Sequence, residues 1–223
     1  MILISNSVFD AKGADKKAKV FGITLSGSED VAIKDCTFKN VGYSAILNNS
    51  VGKVSVEDCK FECDGMYNPI EGSQSVDNGN LIVKGCDFSG VPGNNFINFY
   101  QFADGSEHLI EKCHFTPTVD NNTIRISNRT SAAMKLLVKD CSYDVAEGEP
   151  TAYTNFLLCQ DYTNKSGVKQ DFTHVEVELD NVRCNGEKIM DAEKAAVGGV
   201  FYVYEDGKGL ITGTDNDPII IVK

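Results

Sequence analysis

Two apolar positions one residue apart, then a turn-forming residue, a cysteine and an aromatic ring recur along the chain as h-x-h-x-x-C-x-F, where h is apolar. VAIKDCTF (31–38), VSVEDCKF (54–61), LIVKGCDF (81–88), HLIEKCHF (108–115) and LLVKDCSY (136–143) carry this template. Two weaker copies flank them. ILISNSVF (2–9) has Ser7 in the cysteine place, and VELDNVRC (177–184) has Val182 there with Cys184 in the aromatic place. The cysteine places fall at 7, 36, 59, 86, 113, 141 and 182, in steps of 29, 23, 27, 27, 28 and 41 residues. Periods of this size mark stacked supersecondary units, none of which buries its apolar face alone.

Within a copy the apolar residues alternate with polar ones, as in a strand with one buried face. The alternation slips by one before the cysteine, so the chain must turn there. The residue at the slip is Asn6, Asp35, Asp58, Gly85, Lys112, Asp140 or Asn181. Six of these seven are the types that tolerate a left-handed backbone. Each unit therefore reads as strand, one-residue left-handed corner, strand. FGITLS (21–26), SAILNN (44–49), NFINFY (95–100), NTIRIS (122–127) and NFLLCQ (155–160) supply a third strand. Three short strands per turn predict an all-β fold: a single-stranded, right-handed parallel β-helix (solenoid) of about seven rungs over residues 1–184. Residues 185–223 leave the repeat and are expected to form a C-terminal β cap or docking element. There VGGVFYVYEDGKGLITG predicts a hairpin turning at Asp206-Gly207, and DNDPIIIVK ends in a short apolar strand. With the first rung beginning at Ile2, its open edge would be covered by the Lys-rich loop 12–19 or by another protein.

FGITLSGSEDVAIKDCTFKNVGYSAILNNSVGKVSVEDCKF (21–61) resembles the parallel β-helix repeat shared by pectin-degrading enzymes, alginate epimerases and phage tailspikes. The resemblance covers roughly residues 2–184. Its matching positions are core and turn positions, which carry the fold and assign no activity. A left-handed hexapeptide helix would need a shorter period of about 18 residues. Leucine-rich repeats share part of the template, but the leading Leu is missing in most copies, where Ser28, Asn78, Gly105 and Ala133 stand. Their intervening helical period is also absent.

Stacking turns template columns into ladders. Cys36, Cys59, Cys86, Cys113 and Cys141 form an internal column, expected to remain free thiols because parallel side chains oppose the torsion of a disulfide. Phe38, Phe61, Phe88, Phe115 and Tyr143 form a second. Two residues before each cysteine place lies a solvent-facing column, Ser5, Lys34, Glu57, Lys84, Glu111, Lys139 and Asp180, whose sign alternates from Lys34 onward. Opposite charges on adjacent strands stabilise the correct register and like charges penalise a one-rung slip.

Composition then narrows function. The formal charge is −11, and no basic stripe suits nucleic acid. The longest apolar stretches, such as Ile219–Val222, are too short to span a bilayer, and MILISNSVFD lacks the features of a secretory signal. His108, His114 and His174 do not have zinc-ligand spacing. No catalytic residue, cofactor or metal ligand is assigned.

Two loops, 62–80 and 102–108, hold residue types suited to acid–base work: Asp64, Glu71, Asp77, Asp104, Glu107 and His108. His108 occupies an apolar template place and is expected to be a hydrogen-bonded core histidine, while His114 should point outward. On the outer face of the third strands, Thr24, Asn98 and Arg125 show no carboxylate cluster, and Arg125 is expected as a solvated surface residue. No Trp offers a sugar platform, and Tyr43, Tyr67, Tyr100 and Tyr153 are scattered. The insertion 144–173 is the expected place for an added contact surface.

These features favour a structural or interaction protein of a bacteriophage virion, such as a capsid decoration, fibre or tail component. Its partners would be other virion proteins, or copies of itself through the solenoid ends or the C-terminal strand. The alternative is a carbohydrate-active enzyme, a polysaccharide lyase, hydrolase or epimerase, with its site in loops 62–80 and 102–108.

Overall fold

The computed structural model describes residues 1–11, 20–116, 122–127, 130–144, 156–161, 172–189, 201–205 and 218–223. Every regular element among them is a β-strand. No helix is long and apolar enough to cross a membrane.

The chain winds through three sheets in sequence. The first turn is β1 (Ile2–Ser5), β2 (Val8–Asp10) and β3 (Phe21–Gly27), and the second is β4 (Val31–Lys34), β5 (Thr37–Lys39) and β6 (Ser44–Ser50). Next come β7 (Val54–Glu57), β8 (Lys60–Glu62) and β9 (Ile70–Gly72), then β10 (Leu81–Lys84), β11 (Asp87–Ser89) and β12 (Asn95–Phe99). The fifth turn is β13 (Ser106–Glu111), β14 (His114–Thr116) and β15 (Asn122–Ile126). The sixth is β16 (Met134–Lys139), β17 (Ser142–Tyr143) and β18 (Leu157–Asp161). The last strands are β19 (Val175–Asp180), β20 (Arg183–Cys184), β21 (Glu187–Lys188), β22 (Phe201–Glu205) and β23 (Ile219–Val222).

Sheet A takes the first strand of every turn, β1-β4-β7-β10-β13-β16-β19-β23, and all its pairings are parallel. Sheet B runs β2-β5-β8-β11-β14-β17-β20 and ends on the antiparallel β21. Sheet C runs from β3 through β6, β9, β12, β15 and β18 to β22. This is the expected parallel β-solenoid. Five turns, β4 through β18, have parallel neighbours on both sides in all three sheets; the first and last turns form the ends.

The corner between sheets A and B is the most regular part of the molecule. Asn6, Asp35, Asp58, Asp140 and Asn181 all have φ of 52°, Lys112 54° and Gly85 60°. These are the seven residues at which the alternation slips. The left-handed conformation is strained for most L-residues, which explains the Asn, Asp and Gly preference and makes Lys112 the exception.

Behind each corner a side chain turns inward. Cys36, Cys59, Cys86, Cys113 and Cys141 are buried free thiols, as are Cys63 and Cys159. Each ladder thiol donates to the carbonyl two residues earlier at 3.2–3.4 Å. Ser7 makes the same bond to the Ser5 carbonyl at 2.9 Å, which confirms it as the first-rung equivalent. Contact with the next thiol in the stack, reinforced by burial, pushes the pKa of Cys59, Cys86 and Cys113 upward. Beside them the rings of Phe9, Phe38, Phe61, Phe88 and Phe115 stack face to face, with centroids 4.5–5.0 Å apart. Tyr143 ends the column edge-on to Phe156. Burying one such ring contributes roughly 1.5–3 kcal/mol, so this column supplies much of the core.

Past residue 184 the chain first makes a tight hairpin. β20 and β21 pair antiparallel around Asn185-Gly186, with φ of 48° and 81°, the positive pair that a type I′ turn requires. β22 then pairs parallel with β18 and β23 parallel with β19. Strands on both sides of residue 184 therefore share the same sheets. The turn expected at Asp206-Gly207 and the loop 12–19 lie outside the described residues.

Candidate functional site

The six residues singled out for acid–base chemistry do not form one constellation. Asp64 accepts the Val91 N–H at 2.8 Å, and Asp104 accepts the Ala133 N–H at 2.8 Å. Each links its turn to the next, as a side-chain acceptor does for an otherwise unpaired amide. Asp77 accepts from Nε2 of Gln101 at 2.8 Å. Glu107 is exposed at the outer face of sheet A, Glu71 belongs to sheet C, and His108 points into the core. Among the described residues, no three His, Cys, Asp or Glu side chains converge as metal ligands would.

His108 fits its expected role. Its Nδ1 accepts the Leu81 N–H at 2.9 Å, which leaves the proton on Nε2, 2.9 Å from the Ser106 hydroxyl. Phe99 and Phe102 pack edge-on against the ring. Burial lowers its pKa from 6.5 to about 3, so it stays neutral. His114 points outward, with Asp87 at 3.8 Å on one side and Asp144 at 3.3 Å on the other.

The outer column of sheet C corrects two expectations. Register aligns Thr24, Leu47, Glu71, Asn98, Arg125 and Leu158. Arg125 is not a solvated surface residue: it is 2 % exposed, with its guanidinium 5.4 Å from the centroid of the buried Tyr100 ring. Glu71, expected in a loop, instead joins the same row two rungs away, 3 % exposed, and accepts from the Ser44 hydroxyl. Asn98 between them is 1 % exposed. Glu71, Asn98 and Arg125 are therefore closed to a polymer, whereas Thr24 at the start of the row is exposed. The missed signal was spacing. The matching isoleucines Ile46 and Ile97 lie two rungs apart, so a strand was due midway, where Ile70–Gly72 runs.

The tyrosines are less scattered than expected. Tyr43 and Tyr67 stack at 5.1 Å, and Phe21 meets Tyr43 edge-on at 5.3 Å. Tyr153 lies outside the described residues, as do 145–155 and 162–171 of the insertion. The remaining middle of that insertion forms β18, an ordinary member of sheet C.

Among the described residues, five of the seven exposed large apolar side chains lie in the first turn or the last strand of sheet A, while Val51 and Val91 lie in internal turns. Met1, Ile2, Leu3 and Val8 belong to the first turn, and Ile219 to the last strand of sheet A. A depression of about 490 Å³ lies beside the first group, lined by Met1, Leu3, Val31 and Ala32 and equally by Asp30, Lys34, Lys53, Ser55 and Glu57. A smaller one of about 170 Å³ touches Ile219, Met134 and His174. Contiguous exposed apolar surface rimmed by polar groups is the usual mark of an interaction site. Comparison with family models, curated proteins and solved structures finds no match.

Proposed function

We propose that this chain is a non-enzymatic structural and interaction module of a bacteriophage particle, a capsid decoration, fibre or tail-associated protein that offers a rigid β-solenoid as scaffold. The observation that carries the reading is the first turn, whose sheet edges expose Met1, Ile2, Leu3 and Val8. An uncovered apolar strand edge is a template for pairing with another chain. Further support comes from the acids of the two candidate loops, of which Asp64, Asp77 and Asp104 hold neighbouring turns together. The similarity of residues 21–61 to the tailspike repeat points toward a particle, and other virion proteins are the partners proposed.

Immunogold microscopy of purified particles from the source culture tests this. Label on the particles is expected; label confined to the particle-free fraction would remove the virion assignment. Turnover of a uronic-acid polysaccharide, lost on Asp104→Asn, would replace the structural reading with the enzymatic one.

A further inference from the structure

We infer that the outer face of sheet A is a self-complementary interface, on which a second copy of this chain docks face to face about a two-fold axis. The face lies away from the strand edges that carry the functional reading, and the inference does not depend on that reading.

Two observations carry it. Down the middle of the face, Ile82, Leu109 and Leu137 stand in register on β10, β13 and β16, between the buried positions of each strand, and are only half-buried. The stripe stops at Ser55 on one side and at Glu178 on the other. Contiguous apolar side chains bordered by charge are what an interaction site presents. The border then supplies the occupant. Leu109 lies between Glu107 and Glu111, Leu137 between Lys135 and Lys139, and in the next turn Glu178 lies between Glu176 and Asp180. Charge therefore runs in bands across the width of the sheet, negative, positive and negative, with Lys84 making the turn before them positive. A face banded in this way is its own complement once one copy is turned end for end.

The bands also select the rotation. An axis lying along the strands, between β13 and β16, keeps each column opposite itself and exchanges the turns. Glu107 then faces Lys135 of the second copy, Glu111 faces Lys139, Leu109 packs on Leu137, and Lys84 faces Asp180. An axis along the solenoid would instead set Glu107 against Glu111 and Lys135 against Lys139, and like charges across an interface oppose that arrangement. Glu111 and Lys139 already have partners in their own chain, Lys84 and Asp180, each at 3.1 Å. Glu107 and Lys135 differ. Both are exposed and in register on adjacent turns, yet among the described residues neither forms an ion pair, which leaves the two charges to a partner. An isologous contact of this kind closes at two copies.

Sedimentation across a concentration series tests this with Glu107→Lys and Lys135→Glu, and circular dichroism checks that these surface changes keep the fold. The parent should form a dimer and nothing larger, and the dimer should weaken as salt rises. Either variant alone sets like charges opposite each other on both sides of the axis and should dimerise on the order of tenfold more weakly. Mixed in equal amounts, the two should dimerise again. The introduced lysine of one copy then meets the introduced glutamate of the other, while native Lys135 meets native Glu107. A parent that is monomeric at every concentration overturns the inference, as does a parent dimer that neither variant weakens. Growth beyond the dimer would contradict the two-fold closure. Tighter dimers of Glu107→Lys by itself would mean that position 107 faces Glu111, and a mixture no tighter than its parts would mean that it does not face 135; each of these also overturns the inference.

Discussion

Nδ1 of His108 accepts the backbone N–H of Leu81 at 2.9 Å, across the step between two successive turns. An imidazolium could not accept this bond, and burial holds the folded pKa at about 3 against an ordinary 6.5. The unfolded chain therefore takes up a proton near pH 6.5 that the folded one refuses until about pH 3. Stability contributed by the neutral ring is complete above pH 6.5 and is lost as pH falls toward 3, on the order of 5 kcal/mol in all. His108→Asn keeps an acceptor near Leu81 while removing the titration. It should cost about 1–3 kcal/mol at pH 7 through lost packing. Urea unfolding between pH 6.5 and 5, above the carboxylate range, should then show a flatter slope than the parent; an unchanged slope would rule out His108 as its source.

Lys112 and Gly85 occupy the same left-handed corner in successive turns, with opposite consequences. Lys112→Asn should raise stability by roughly 0.5–1 kcal/mol, because Asn tolerates this conformation better. Gly85→Ala should lower it by about 1–2 kcal/mol, and its new Cβ would lie 2.5 Å from Oδ1 of Asp58. Chemical denaturation of both variants gives the comparison, and a stabilised Gly85→Ala would contradict the corner argument.

The Ser7 bond to the Ser5 carbonyl shows that a hydroxyl can fill the cysteine place. Cys86→Ser should accordingly fold and lose no more than about 2 kcal/mol, since its hydroxyl can donate to the Lys84 carbonyl as the thiol does. Thiol titration provides a companion measurement. Eight thiols should react in denaturant without reductant, and in the folded protein Cys184, the one cysteine that is not buried, should react first. Fewer than eight would mean that a disulfide has formed.

Lys84 stands in register between Glu57 and Glu111, and its Nζ is 3.1 Å from the Glu111 carboxylate. The same column pairs Lys34 with Glu57 at 2.6 Å and Lys139 with Asp180 at 3.1 Å. Lys84→Glu would set three carboxylates on consecutive rungs. A fall in Tm of about 2–4 °C is expected in low salt, shrinking near 1 M salt, where screening acts over about 3 Å. A salt-independent loss would assign the effect to packing of the lysine stem instead.

Legibility in the sequence followed how tightly each position is constrained by its neighbours in the stack. The corner residues, the cysteine and phenylalanine ladders and the alternating charges repeat because each copy meets the same copy above and below. Glu71 was legible only as a loop acid, because N-P-I-E-G-S has a single apolar residue and no alternation, and its strand exists through pairing with β6 and β12. Arg125 looked solvated for a related reason. Outward orientation from a strand is written in the alternation, whereas what lies over a sheet is not. The pairing of Tyr43 with Tyr67 was likewise hidden, since the rings belong to successive turns and the connection between them repeats no template.

Sheets A and B are separated by two residues in all seven turns, from Asn6-Ser7 to Asn181-Val182, while the connections from B to C differ in length from turn to turn. An extra residue at the corner would throw the next strand out of phase and turn its core side chains to solvent. On the B-to-C side the same insertion only enlarges a loop, and even doubling a flexible loop costs only about 0.6 kcal/mol in closure entropy. Mutation can therefore lengthen, shorten or exchange whole segments along one flank while the wound core keeps time. New surface specificities can be gained there without the fold being rebuilt.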